Sequence, residues 1–393
     1  MGQDHIVTES IRAGLTGAEL DYEQVVTVAA AAAHEVDRDA RFPHEAVAAM
    51  RDNGLLSCSL PSALGGRSTS ISDLAAMARA LGTGCSSAAM VFAMHHTQAL
   101  SLRWHGAHGD IAELTRTIAA EEALLASATT EISTGGDVRS SGCAVIPDGA
   151  EVVLEKNAPV ISYGEYADYI CATARRGPDS PPSDQVLIVC PRSDIELEKT
   201  GTWDVLGFRG TCSPGFMLRA RTLPSNVLPV DYGTISSHTM LPSSHTLWAS
   251  VWLGIADAAV SKARVQVRAA ARRNGGGPTD RTAAFADLLV SHQRFESSVA
   301  QEIRRYEDFL ASGELETTVG FAIAMNNLKL TASQAVVDVV SAALAMTGIN
   351  AYREDHVASM GRLLRDAFGP QLMVSNERIR ANNAQLVLAY KGR

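Results

Sequence analysis

The chain of 393 residues lacks any polybasic arm: 34 Lys and Arg are scattered against 43 Asp and Glu, for a formal charge of −9. Without clustered cations there is no footprint for a phosphate backbone, which argues against nucleic acid as a partner. The six cysteines (Cys58, Cys85, Cys143, Cys171, Cys190 and Cys212) are widely spaced and form no CxxC pair. They read as buried, reduced thiols of a cytoplasmic protein rather than as a disulfide framework. The stretch from Met1 to Leu15 has no basic segment followed by an apolar run, and no window is expected to reach the roughly 20 apolar residues that span a bilayer. No membrane association follows from this reading.

Several catalytic signatures are also missing. There is no GxxxxGK[ST], hence no P-loop, and no GxGxxG between a strand and a helix, hence no ordinary dinucleotide fold. No GxSxG elbow occurs. His105 and His108 are spaced to share a helix face, but no carboxylate joins them at ligand spacing, so no metal is expected.

What is present is the composition of a globular enzyme, 46% hydrophobic and 20% charged, at a length that suits two or three compact units. From Asp21 to about Glu122 the chain is Ala- and Leu-rich with apolar residues at helical spacing, such as Leu74, Met77, Ala78 and Leu81. Asn53-Gly54, Pro61 and Gly65-Gly66 interrupt it, and Ser72-Asp73 suits a helix start. From about Leu124 short β-branched runs alternate with turns: Cys143 to Ile146, Glu151 to Leu154, Tyr169 to Ala174, Val186 to Val189 and Phe216 to Arg219. After Val230 helical texture returns over Leu247 to Ala270, Arg281 to Ser312, Val319 to Met346 and Asn376 to Tyr390. The predicted organisation is an N-terminal helical domain over 1–123, a middle β domain over 124–232 and a C-terminal helical bundle over 233–393.

The informative stretch is Thr129-Thr130-Glu131-Ile132-Ser133-Thr134-Gly135-Gly136-Asp137-Val138, followed about two dozen residues later by Ile161-Ser162-Tyr163-Gly164. Trp203, Gly207-Phe208-Arg209-Gly210, Pro224 to Leu228, Leu253 to Ala256 and Gly361-Arg362-Leu363-Leu364-Arg365-Asp366 come next, in that order. Together with the order helices, sheet, helices, these segments resemble the acyl-CoA dehydrogenase superfamily over nearly the whole chain. The resemblance implies an α+β fold with an N-terminal helical domain, a middle β-barrel or sheet domain and a C-terminal four-helix bundle. It also implies a flavin, FAD in preference to FMN. The cofactor would be met by Thr129, Thr130, Gly135 and Gly136, by the Ser162 hydroxyl, by Asn376 and Arg378, and by Arg272 reaching the pyrophosphate of a neighbouring subunit. A bidentate guanidinium suits that last role. The implied assembly is a homotetramer or dimer, because this fold completes its cofactor pocket across subunits.

The pattern breaks at the base. Ordinary members of the superfamily use a glutamate to remove the α-proton as hydride leaves the β-carbon for the flavin. The two places where that glutamate is found correspond here to Val374 and Ser244. Valine has no titratable group, and an unassisted serine has far too high a pKa. Three readings follow from the resemblance. One is a flavoenzyme needing no α-proton base, through loss of CO2 from the substrate or O2-dependent monooxygenation, as in the branch that forms epoxyketones in specialised metabolism. Another is a dehydrogenase with a relocated base, and the third is a non-catalytic binding or assembly subunit. The expected substrate is a carrier-bound or β-keto acyl compound, with CoA or a carrier protein as the tether. His96, about a helical turn from Ala93, is the candidate to face it, with Thr97 and Val374 lining the pocket and Ser244 a second catalytic candidate. An imidazole there suits proton transfer near neutral pH, and the alternative role for His96 is helix packing. Glu131 and Asp137 are expected mainly to hold their loop.

Overall fold

The computed structural model describes residues 22–135 and 137–392. Among the described residues five α-helices come first: α1 (Tyr22–Arg38), α2 (His44–Asp52), α3 (Ile71–Gly84), α4 (Ser86–His105) and α5 (Ile111–Ala120). In α1 the buried stripe Val25, Ala29, Ala33 and Val36 recurs every three or four residues, with Glu23 in the first turn and Arg38 in the last complementing the helix dipole. The cap of α3 is Ser70 rather than Ser72: its Oγ accepts the Asp73 N–H at 3.0 Å. The apolar run begins at Ile71, so the cap belongs one residue before it.

Helix α4 is buried on all sides, with only Met94, Arg103 and Trp104 reaching the surface. A helix in that position is an interior element, and each polar side chain on it must find a partner inside the protein.

The middle region holds seven strands in two sheets. One sheet has the order β1-β4-β5, from Leu125–Ala128, Tyr169–Arg175 and Gln185–Pro191. The other runs β2-β3-β7-β6, from Ile146–Asp148, Glu151–Ala158, Phe216–Thr222 and Ile195–Lys199. Only the β1–β4 pair is parallel. Strands β4 and β5 are continuously buried, as expected for a sheet covered on both faces, whereas β3 and β7 alternate. Strands β1 and β6 escape the sequence reading. The first is four small or apolar residues, Leu125 to Ala128, and the second, Ile195 to Lys199, is mostly charged.

The C-terminal region opens with α6 (Tyr232–Ile235) and a π-helical turn, Ser236–Met240. Three long helices follow, α7 (Leu241–Arg273), α8 (Asp280–Ser312) and α9 (Val319–Thr347), then α10 (Ile349–Tyr352), α11 (Gly361–Phe368) and α12 (Asn376–Leu386). The fourth bundle member, α12, is 11 residues long and packs on α9. Helix α7 packs against α3 as well as α8 and α9. Gly82 and Gly254 make the α3 contact possible, since a Cβ on Gly82 would stand 2.6 Å from the Val251 carbonyl.

Helix α9 corrects one expectation: by length and composition it is apolar enough to cross a membrane, although 39% of its most apolar window is buried in this chain. It packs against α7, α8 and α12 and carries the buried polar residues Asn326, Lys329 and Ser333. Bundle packing explains the apolar side chains on that face.

Candidate functional site

The candidate cofactor segment begins where β1 ends. Thr129 and Thr130 are half-buried, and neither hydroxyl forms a hydrogen bond to another described residue. Glu131 turns inward: its carboxylate accepts from Ser133 Oγ at 2.6 Å, the Cys143 N–H at 3.0 Å and the Gly142 N–H at 3.1 Å, and lies 3.4 Å from the ammonium of Lys156. Burial pushes its pKa up, but these donors outweigh it, and the carboxyl sits below its ordinary value. Glu131 is therefore committed to holding the loop. Gly135 follows at a φ of +60°, with open space where a side chain would be. Gly136 lies outside the described residues. The Gly135 carbonyl accepts from the guanidinium of Arg378, so the structure joins two candidate residues from opposite ends of the chain.

Ser162 is brought to the same region. Tyr163, at a φ of +42°, donates its hydroxyl to the Leu125 carbonyl at 3.0 Å, tying the segment to the start of β1. Ser162 Oγ accepts from Ser213 Oγ at 2.9 Å, and Ser213 Oγ is also 2.9 Å from Thr211 Oγ1, which donates to the Phe208 carbonyl. Ser213 Oγ also donates to the Thr211 carbonyl at 3.2 Å, so Ser162 ends a chain of hydroxyls whose protons can turn either way. Ser213 and Thr211 were not legible as site residues, because they follow the Gly207 to Gly210 motif without belonging to it.

Several candidates are placed elsewhere. His96 is fully buried, with Nδ1 2.8 Å from Ser59 Oγ, Nε2 3.9 Å from Cys58 Sγ and its ring against Phe92. Burial, with His95 beside it, holds its pKa well below the ordinary value. It is a packing histidine, as an interior helix requires, and does not present itself to a substrate. His95 bridges layers, with Nε2 2.6 Å from the Leu56 carbonyl and Nδ1 accepting from the Leu125 N–H at 3.0 Å. Ala93 is fully buried, and Thr97 donates to the Ala93 carbonyl at 2.9 Å. Ser244 donates to the Leu241 carbonyl at 2.9 Å within its own helix, so its hydroxyl has no base to activate it. The side chain of Asn376 is turned into α9, bonded to Lys329 and Ser333, rather than toward a cofactor. Arg272 is exposed at the end of α7, without an ion pair among the described residues.

Val374 is half-exposed and has a φ of +47°, a conformation that a β-branched residue rarely adopts. Its carbonyl accepts from Lys329 at 2.7 Å. Burial, with Arg380 nearby, lowers the Lys329 pKa to about 7. Lys329 went unremarked in the sequence because it stands among Met325, Leu328 and Ala332 on an apolar face. A lone lysine inside such a stripe is the signal that would have found it. Among the described residues no three of His, Cys, Asp or Glu gather as a metal site would require.

The fold, helices around two sheets, is the acyl-CoA dehydrogenase-like fold. Residues 23–122 match the family model for the acyl-CoA dehydrogenase N-terminal domain, and the chain carries that domain. Cyclohex-1-ene-1-carbonyl-CoA dehydrogenase of Geobacter metallireducens is 24% identical over 350 residues, which cover 88% of this chain and 90% of that protein. Among solved structures, the FMN-bound TdsC of Paenibacillus sp. A11-2 superposes with a TM-score of 0.80 at 17% identity, covering 95% of this chain and 97% of that one. The nitrososynthase of Micromonospora carbonacea var. africana gives a TM-score of 0.80 at 22% identity, covering 97% and 99%. These likenesses show that the chain shares its fold with an acyl-CoA dehydrogenase relative, with TdsC and with a nitrososynthase.

The residues present fit a flavin. The Thr129 and Thr130 hydroxyls, which bond to no other described residue, the side-chain-free space at Gly135 and the hydroxyl of Ser162 are the features that suit one.

Proposed function

We infer that this chain is a flavin-dependent oxidoreductase whose chemical step uses no carboxylate base, an oxygenating or decarboxylative reaction on an acyl substrate carried by CoA or a carrier protein. The observation that carries this reading is the pair of vacated base positions. Val374 offers no titratable group, and the Ser244 hydroxyl is bonded within its own helix. Glu131, the nearest carboxylate in the candidate cofactor segment, is occupied by three donors and Lys156. A substrate that loses CO2 makes its own carbanion, and oxygenation with O2 as co-substrate needs no α-proton removed.

A bound flavin would supply two-electron redox chemistry. The residues of the chain would hold and orient it: Thr129 and Thr130 offer hydroxyls, Gly135 allows close approach, and Ser162 offers the hydroxyl that Ser213 bonds. FAD is the first choice, although the neighbour TdsC holds FMN. A second copy of the chain is the proposed partner, with Arg272 of one copy reaching the cofactor of the other and the incompletely covered α9 near the contact.

The near full-length likeness to a dehydrogenase favours one rival, desaturation with a relocated base. Anaerobic reduction of the flavin-loaded protein followed by rapid mixing with O2 separates the two. A transient absorbing between the reduced and oxidised spectra supports oxygenation, and slow direct reoxidation supports the dehydrogenase. Failure to bind FAD or FMN removes both.

A further inference from the structure

Lys329 lies about three turns into α9 and is fully buried, yet no carboxylate among the described residues lies within ion-pair distance of its Nζ. Its donors go instead to the carbonyl of Val374 and to Asn376 Oδ1, each at 2.7 Å. Asn376 Nδ2 in turn donates at 3.1 Å to Ser333 Oγ, one helical turn beyond Lys329. These contacts clamp the left-handed Val374 against the helix, and four residues further on Arg378 reaches the Gly135 carbonyl. We propose that Lys329 is a positioning residue that holds the Val374–Asn376 turn closed on α9 in its neutral form, and that the turn opens more readily when the amine is protonated. The bearing of this turn on the reaction rests on the flavin-enzyme reading above, since the turn occupies the place of the missing base and connects to the candidate cofactor segment.

The argument is one of linkage. A neutral amine keeps two N–H donors, enough for the Val374 carbonyl and Asn376 Oδ1. An ammonium enclosed without a counter-charge prefers water, which it regains only when the turn lifts. The pKa in the closed state is lowered to about 7, from an ordinary value of 10.5. Between those values the open turn binds more protons than the closed one, so closure is favoured as pH rises.

Most titratable groups on the elements packed around Lys329 are engaged with other partners. His245 of α7 has Nδ1 3.0 Å from the Met325 carbonyl and its pKa pushed to about 4, so it stays neutral. Arg380 of α12 is the cation nearby that adds to the lowering at Lys329. On α8, Glu296, His292, Glu302 and Glu307 are engaged by Arg79, Asp257, Arg305 and Ser72. Asp366 of α11 holds the Phe208 N–H, and Asp338 of α9 accepts from Gln334.

The test is amide hydrogen exchange over residues 372–378 of the full-length chain between pH 6 and 9.5, corrected for intrinsic exchange, with and without FMN. Protection is expected to be flat below pH 7 and to rise by about tenfold per pH unit above it. K329M abolishes the slope. N376D supplies a counter-charge and moves its onset upward by more than about one pH unit, which keeps the proposal testable if K329M fails to fold. A flat wild-type profile, or an unchanged slope in either variant, overturns it. Absence of FMN binding would instead count against the flavin reading and leave the exchange slope interpretable.

Discussion

Asp366 Oδ1 accepts a 2.6 Å hydrogen bond from the backbone N–H of Phe208, a residue 158 positions earlier at a φ of +51°. The bond locks a left-handed corner of the loop after β6 onto α11, and Arg365 beside it reaches Asp37 of α1. Two motifs that in the sequence are only family marks thus join the three regions of the chain. The Phe208 corner also supports the Thr211, Ser213 and Ser162 hydroxyls.

Removing that acceptor strands a buried donor. Asp366→Ala is expected to destabilise the fold by about 2–4 kcal/mol and to weaken flavin binding, whereas Asp366→Asn, which keeps an acceptor, costs less. Urea midpoints of the two variants check this, and equal losses would refute it.

The Glu131–Lys156 pair is enclosed on both sides. Either Glu131→Gln or Lys156→Met alone is expected to cost about 3–5 kcal/mol, and the double variant less than the sum, because the single changes leave an uncompensated charge. The sign with pH follows from the depressed Glu131 pKa: its contribution is present above the ordinary carboxyl value of 4.5 and is lost as pH falls through the folded one. The gap between wild type and Glu131→Gln in denaturant titrations should therefore close in acid.

Three buried histidines, His95, His105 and His245, have pKa values pushed down to about 4 by desolvation. The unfolded chain binds their protons from about pH 6.5 downward and the folded chain does not, so stability falls between pH 6.5 and 4. Each histidine contributes a slope approaching about 1.4 kcal/mol per pH unit. Denaturant midpoints at pH 7, 6 and 5 measure it, and constant stability over that range would contradict the structure.

At the α3–α7 crossing, Gly82→Ala places a methyl 2.6 Å from the Val251 carbonyl. Backbone cannot yield cheaply there, and a loss of about 1–3 kcal/mol is expected. An unchanged thermal midpoint would mean that the two helices are free to move apart.

Much of the architecture was legible because hydrophobic period and turn residues report local conformation. The long helices of the last third are found to within a few residues at most ends, and the helices-sheet-helices order is correct. Strands β1 and β6 were missed for a physical reason, since neither four small residues nor a charged edge strand carries a period. Of the candidate site residues, Gly135 adopts the left-handed conformation that glycine favours and Ser162 offers a hydroxyl, both features carried by residue identity alone. His96 was misplaced because spacing gives the relative rotation of residues around a helix but not how many of its faces are covered, and α4 is covered on all of them.

The sequence by itself determined the class of fold, the candidate cofactor segment and the absence of a carboxylate at both base positions, because those depend on residue identity and local order. Only the tertiary structure decided which polar groups are engaged and which remain for a ligand. Glu131 is bound by Lys156 and Ser244 by its own helix, while Lys329 stands without a counter-charge behind Val374. Pairing and desolvation depend on distances between residues far apart in the chain, and no local pattern encodes them.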